Sequence, residues 1–282
     1  MEKISVKYCD LIRKMLDCAR PALPLSPATV YRKANLDIRP FVDQMIEASL
    51  IEPSEIQGLD HLEELFAKAQ QGASCLLLVE HYSNFDLPVL SYLLRKNGDT
   101  GQKIAEALIA IAGMKLDLEC PIVAAFAEAY RRIVISPRRA SLMNTHPHFI
   151  QSRAINLAAA KKIREKKKNG NLILLFPSGT RYRPGDPSTR KGQRETDSYI
   201  KSFDFMCLIS INGNILRVQE EGGMAEDFIC RDRITFSVSA VTDCHVFRET
   251  VRKQTHLGTD KKQAVADEVM RRLAATHEIR KI

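Results

Sequence analysis

Four things are missing from this chain, and each absence narrows what it can be. No cysteine pair has C-x-x-C spacing: the seven cysteines stand at 9, 18, 75, 120, 207, 230 and 244, an odd and scattered set. That argues against a disulfide framework or a cysteine zinc site and for a reducing cytoplasm. Long apolar runs are also missing. The longest uncharged apolar stretch, residues 205–216, falls well short of the roughly 20 residues a spanning helix needs. Membrane contact is therefore expected to be peripheral at most. The N-terminus, Met1-Glu-Lys-Ile-Ser, soon carries Asp10, Arg13, Lys14 and Asp17, which does not read as a signal peptide. Finally, no G-x-S-x-G elbow is present to raise a serine nucleophile. His146 and His148 form an isolated H-x-H without accompanying ligands, so no metal is expected.

What is present is the composition of a folded enzyme-sized chain: 282 residues, 45% hydrophobic and 27% charged. The formal charge of +8 and a sequence pI near 9.1 favour an anionic partner without choosing among phosphate, nucleic acid, an acidic protein and a membrane surface. The length suits one large domain, or one domain with an appendage.

Residues 1–55 read as a small helical N-terminal region, broken by Pro21 and Pro24 and ending near Pro53. Within it, Ser26-Pro-Ala-Thr-Val-Tyr-Arg-Lys-Ala-Asn35 has a cap residue followed by proline at the first helical position and is expected to be a helix. From residue 56 to 282, apolar strands alternate with amphipathic helices. Strands are expected at 75–79, 107–112, 132–136, 172–176, 205–211 and 234–241; helices at 59–71, 87–96, 121–130, 154–168 and 259–277, with an exposed polar loop at 186–200. This alternation predicts an α/β domain: a mixed, mostly parallel sheet flanked by helices, with the helical N-terminal appendage beside it.

Chemistry-bearing residues cluster just after the apolar strands. Cys75-Leu-Leu-Leu-Val79 is followed by Glu-His-Tyr-Ser-Asn-Phe-Asp86. A strand-loop-helix turn here can bring the Asp86 carboxylate onto the His81 imidazole, with Asp86 as helix N-cap. A neutral imidazole oriented by a carboxylate suits general base catalysis, although a lone pair at this spacing is more often a structural contact. Ser83 lies between the two, in the loop rather than on an elbow. Leu172-Ile-Leu-Leu-Phe176 leads into Pro-Ser-Gly-Thr-Arg-Tyr-Arg183. There Arg181 and Arg183 point the same way in an extended chain and could clamp a phosphate. Arg138 and Arg139 follow the 132–136 strand and could converge on the same edge.

His81-Tyr-Ser-Asn-Phe-Asp86 resembles the H-x4-D motif of the glycerolipid acyltransferases, and Phe176-Pro-Ser-Gly-Thr-Arg181 resembles their downstream F-P-E-G-T-R block. Arg132-Ile-Val-Ile-Ser136 resembles the block between them. The tract Pro177-Ser-Gly-Thr-Arg-Tyr-Arg-Pro184 looks especially like the soluble, plastid-type glycerol-3-phosphate acyltransferases, which carry P-S-G-G-R-D-R-P there. The resemblance covers roughly residues 60–245. It implies His81 as base and Asp86 as its partner, with Arg138, Arg139, Arg181 and Arg183 on the acceptor's phosphate and Ser178, Gly179 and Thr180 as positioning residues. Ser178 stands where many relatives have Glu, and Leu208-Ile-Ser-Ile211 lacks the proline usual in a later block.

The implied activity is transfer of a fatty acyl group from a thioester to a hydroxyl of glycerol 3-phosphate. The cosubstrate is acyl carrier protein or acyl-coenzyme A, no cofactor is implied, and the setting is cytoplasmic or, in a eukaryote, the plastid stroma. A lysophosphatidate acceptor is the alternative within the family. A different class of reading takes the basic N-terminal helices as a nucleic-acid-binding element; no nucleic-acid partner is expected, because Pro21, Pro24 and Pro27 crowd the place of a companion helix.

Overall fold

Cys75-Leu-Leu-Leu-Val79 offers no polar side chain to either side, so it is stable only where both faces of a sheet are covered. In the computed structural model all five residues are buried, and the strand is near the middle of a nine-stranded sheet. The described residues are 1–282 without 22, 118–119, 137–145, 220–223, 257 and 279–282.

Across the sheet the order is Tyr31–Arg32, Arg132–Ile135, Leu108–Gly113, Leu172–Leu175, Cys75–Val79, Phe205–Asn212, Thr235–Val238 and Glu55–Gln57, with Thr242–Asp243 on the other half of Phe205–Asn212. The five strands from Arg132–Ile135 to Phe205–Asn212 run parallel. Antiparallel partners flank them, Tyr31–Arg32 at one side and Thr235–Val238 at the other. The expected mostly parallel mixed sheet flanked by helices is what forms.

Side chains alternate along the central strand, and each set meets its own helices. Cys75, Leu77 and Val79 face the cluster that includes Leu62, Leu65, Leu90 and Leu94; Leu76 and Leu78 face Ile163, Phe247, Val265 and Val269. The chain leaves Cys75–Val79 through the helices Asp86–Lys96 and Gly98–Ala107 on the first face. It leaves Leu172–Leu175 through the helix Thr196–Ile200 on the second. Two neighbouring parallel strands whose connections depart to opposite faces leave a crevice between their carboxyl ends, the usual seat of a site in such sheets.

Residues on either side of Pro53 enter one apolar cluster. Ile4, Ile12, Met15, Val42, Met45 and Ile46 pack with Leu62, Leu90 and Phe236. Glu55–Gln57 is the outer strand of the large sheet, and Glu2–Lys3 joins Phe228–Ile229 and Leu216–Arg217 in a small three-stranded one.

Some local expectations are corrected. Residues 26–35 form a turn and the short strand Tyr31–Arg32 rather than a helix. The Thr29 hydroxyl donates to the Pro24 carbonyl at 2.6 Å and accepts from Ser26 N–H at 2.9 Å, holding the turn, while Val134 N–H bonds Val30 O at 2.8 Å. Local side-chain bonds and a free sheet edge outcompete helix propensity here. Residues 26–35 therefore offer no helix to the nucleic-acid-binding reading. The 186–200 segment is partly buried: it carries the turn Pro187–Arg190 and the helix Thr196–Ile200, and buried Asp197 pairs with Arg248 at 2.7 Å. Asn97-Gly98 ends the first crossover helix as expected. A second, unexpected helix follows at once, because Gly98 adopts φ 70° and redirects the chain. The helix Cys244–Gln254 was likewise hidden in a polar sequence; Asp243 caps it through Val246 N–H. Among the described residues no helix is long and apolar enough to cross a membrane.

Leu77, fully buried on the central strand, sets a stability test. Leu77→Ala is expected to cost about 2–5 kcal/mol. Leu157→Ala, on an exposed helix position, should stay within about 0.5 kcal/mol. Denaturant titration of the two variants checks the assignment of the core.

Candidate active site

His81 leaves the carboxyl end of the Cys75–Val79 strand, and Asp86 is the first residue of the next helix. Asp86 does not cap that helix; its carboxylate turns back into the loop instead. Oδ2 accepts from His81 Nδ1 at 2.9 Å, from Tyr82 N–H at 2.7 Å and from Ser83 N–H at 2.9 Å. Oδ1 accepts from Ser83 Oγ at 3.0 Å. The early position on the helix also favours a negative charge. A carboxylate can only accept, so Nδ1 of His81 carries its hydrogen and Nε2 holds the lone pair. Nε2 makes no hydrogen bond among the described residues, and the side chain keeps 15% of its surface open.

Ser83 is excluded as a nucleophile by the same contacts. It is buried, donates to Asp86 and accepts from Phe85 N–H at 3.1 Å, with no bond to His81. The cysteines offer no substitute near the strand ends: burial pushes the Cys75 and Cys207 thiols up to about 12.

The loop after Leu172–Leu175 emerges beside His81 because that strand pairs in parallel with Cys75–Val79, Leu78 opposite Leu175. The Phe176 ring stacks on the His81 imidazole, centroids 4.0 Å apart and planes 14° from parallel. Tyr182 N–H donates to the His81 carbonyl at 2.7 Å, bolting the two loops together. Between these contacts the chain turns at Gly179, which sits at φ 65° and donates its N–H to Phe176 O at 2.9 Å. Ser178 is buried, its hydroxyl spent on Thr180 O at 2.7 Å, and Gln193 Nε2 donates to Ser178 O at 3.0 Å. Thr180 is exposed.

Around Tyr182 the extended chain alternates as expected. Tyr182 turns inward, edge-on to Tyr82 with centroids 4.8 Å apart, between the half-buried Arg181 and the exposed Arg183. Arg181 pairs with the buried Asp227 carboxylate. Burial pushes the Asp227 carboxyl upward, with Arg181 as the main opposing influence. The Arg183 side chain is exposed and makes no hydrogen bond or ion pair among the described residues. Arg138 and Arg139 lie outside the described residues, as do the side chains of His146 and His148. Burial also raises the Tyr82 hydroxyl to about 12 and the Tyr182 hydroxyl further, with the Glu80 charge adding to both, so each remains a phenol at neutral pH.

The structure thus joins His81 to Asp86 and holds Arg181 on Asp227 in the adjoining loop, with Arg183 exposed. It adds Phe176, Tyr82, Tyr182 and Asp227, whose parts were not readable beforehand. Phe176 was visible within the second motif. Asp227 belongs to no motif and reaches the site only through the small three-stranded sheet, where its carbonyl accepts Ile4 N–H at 3.0 Å.

The model of the acyltransferase family matches residues 54–199, over half of the chain, and the chain belongs to that family. Among curated proteins it is 26% identical over 197 residues to the chloroplastic glycerol-3-phosphate acyltransferase of Spinacia oleracea. That match takes in 70% of this chain but 37% of the spinach protein, so the chain spans little more than a third of its relative's length. Among solved structures, the 1-acyl-sn-glycerophosphate acyltransferase PlsC of Thermotoga maritima superposes with a TM-score of 0.44 at 15% identity, over 86% of this chain and 80% of that one.

Ser83→Ala removes the hydroxyl that serves both Asp86 and Phe85 N–H. A loss of about 1–3 kcal/mol is expected, the range for stranding buried polar groups. Urea unfolding measures it, and an unchanged midpoint would show that the loop does not depend on this hydroxyl.

Proposed function

We propose that the chain transfers a fatty acyl group from a thioester, on acyl carrier protein or coenzyme A, to a hydroxyl of glycerol 3-phosphate. The observation that carries this reading is the His81–Asp86 bond of 2.9 Å at a strand end, which leaves Nε2 unoccupied beside an arginine-bearing loop. The identity with the spinach enzyme and the tract Pro177-Ser-Gly-Thr-Arg-Tyr-Arg-Pro184 support glycerol 3-phosphate over lysophosphatidate as acceptor. The site is read as working in a cytoplasmic setting, with peripheral access to a membrane surface for its acyl products.

In this reading the acceptor's phosphate is held by Arg181 and Arg183, joined by Arg138 and Arg139, which follow the Arg132–Ile135 strand in the sequence, and this brings the hydroxyl to His81. Nε2 takes the hydroxyl proton as the oxygen attacks the thioester carbonyl carbon. Asp86 holds the ring in the productive tautomer and stabilises the imidazolium that forms. When the tetrahedral intermediate collapses, the carbon–sulfur bond breaks and the departing thiolate takes the proton from Nε2. Every step is direct transfer, with the buried Ser83 and Cys75 as spectators. Ser178 and Gly179 act through the shape of their turn, and exposed Thr180 lies between that turn and Arg181.

His81→Ala should lower turnover by about 10²–10⁴-fold, the range general base catalysis contributes, with KM for both substrates largely kept. Steady-state kinetics with glycerol 3-phosphate and lysophosphatidate, each with coenzyme A and carrier-protein donors, tests base and acceptor together. Full turnover in the variant, or turnover only with lysophosphatidate, would overturn the respective assignment.

Arg181→Ala and Arg183→Ala should each raise the acceptor's KM by about 10–100-fold, the equivalent of one charge-assisted hydrogen bond. The donor's KM should stay near its original value. An acceptor KM unmoved in both variants would refute the phosphate clamp.

A further inference from the structure

The two members of the Arg181–Asp227 ion pair differ in what they have left to offer. The Asp227 side chain is 2% exposed and the Arg181 side chain 14%, so the acid is the inner member and the cation the outer one. Both carboxylate oxygens are taken: Oδ2 by Arg181 Nη1 and Oδ1 by Gln219 N–H at 3.2 Å. A guanidinium has five donors and no acceptor. Nη1 is the only nitrogen of the Arg181 side chain with a hydrogen-bond partner among the described residues, and neither Nε nor Nη2 is fully buried. The pair therefore closes on its inner side and keeps free donors on its outer side.

Both ends of the pair are backed by fixed main chain. Ahead of Arg181 the chain turns at Gly179, and directly after it Tyr182 N–H is held on the His81 carbonyl at 2.7 Å. Asp227 lies between the turn Met224–Glu226 and the strand Phe228–Ile229, which pairs with Glu2–Lys3 on one side and Leu216–Arg217 on the other. Its carbonyl accepts Ile4 N–H at 3.0 Å, and its neighbour Glu226 pairs with Lys3 at 2.6 Å. Arg183, by contrast, is exposed and has no carboxylate to hold it among the described residues.

We propose that Asp227 is a positioning residue for the acceptor's phosphate: it anchors Arg181 through Nη1, so that Nε and Nη2 are presented to the anion in advance. The proposal rests on the reading of Arg181 as part of the phosphate clamp. A long side chain that is ordered only on binding costs affinity, and one anchored beforehand does not. A carboxylate that instead competed with the phosphate for Arg181 would have the opposite effect on affinity, which gives the proposal a sign.

The test is the affinity of the whole chain for inorganic phosphate and for glycerol 3-phosphate by calorimetry, with kcat and both KM values measured alongside. Asp227→Asn keeps the shape of the side chain and an oxygen for Gln219 N–H but removes the charge that holds Arg181. Both affinities should fall about three- to tenfold, the effect of ordering one long side chain during binding, while kcat and the donor's KM stay within about twofold. In an Arg181→Ala background the same substitution should change nothing further, because the group it anchors is gone; in an Arg183→Ala background it should act with its full factor. Should Asp227→Asn fail to fold, Asp227→Glu keeps the charge but displaces the guanidinium by one methylene, and it should weaken phosphate about threefold. Phosphate affinity that is unchanged or improved in a folded Asp227 variant overturns the proposal, as does a fall in kcat and a rise in the donor's KM of the same size, which a purely structural role produces. Arg181→Ala separates the two readings. If it leaves phosphate affinity unchanged, the clamp fails and this proposal with it; if it weakens phosphate while Asp227→Asn does not, this proposal fails alone.

Discussion

The Asp86 carboxylate is the constraint on which the site depends. Four hydrogen bonds converge on it, from His81 Nδ1, Tyr82 N–H, Ser83 N–H and Ser83 Oγ. They set the ring, the path of the loop and the entry into the Asp86–Lys96 helix at once. A buried carboxylate tolerates no missing partner, so the loop has little freedom to adopt another course. The imidazole is then held a second time, by the Phe176 ring against its face and by the Tyr182 N–H on its backbone carbonyl. Hydrogen bond, stacking and backbone tie come from three different residues, a redundancy that fixes the position of the ring.

That geometry needs the two loops side by side, and the sheet supplies it. Cys75–Val79 and Leu172–Leu175 are far apart in the chain yet adjacent and parallel, so their carboxyl ends open on the same edge. Their crossovers leave to opposite faces and keep the crevice clear. The remainder of the chain fastens this arrangement from the outside. The N-terminus pairs with the hairpin that carries Asp227, and the C-terminal helix reaches Glu80 through His277. The two ends of the chain thus meet the site from different directions.

The central strands and the His81–Asp86 pair were legible in the sequence because their signals are local. Cys75–Val79 is a short apolar run closed by loop residues, and five residues from His81 to Asp86 is a distance a tight turn can close. For Arg181 and Arg183 alternation gave only the expectation of a common side; Arg181 is found on Asp227 and Arg183 is exposed. Residues 26–35 misled because their cap and proline describe a helix start, whereas the edge of Arg132–Ile135 offers that backbone a better set of partners. The segment 186–200 misled for a related reason: its polarity suggested solvent, but Asp197 is satisfied by Arg248 from a helix the sequence hid. Glu80, Asp227 and His277 carried no signal. A buried charge is recognisable only from its partner, and each of these partners comes from a distant part of the chain.

The charge balance follows from this packing. A formal charge of +8 suggests an open basic patch, but the cations nearest His81 are mostly engaged. Arg181 is held by Asp227 and Arg190 lies over the Tyr182 ring, while Arg183 is exposed without an ion partner among the described residues. A guanidinium has five donors in a rigid fork, so one nitrogen on Asp227 leaves others free while fixing the plane. Burial works against the Asp227 charge, and the arginine beside it offsets that cost. On the reading proposed, an arriving phosphate meets one mobile arginine and one already aimed. The ordering entropy of the second is spent in folding rather than in binding. Anchoring a cation with a buried acid then strengthens the anion site rather than competing with it, provided the acid faces a different edge of the fork from the ligand.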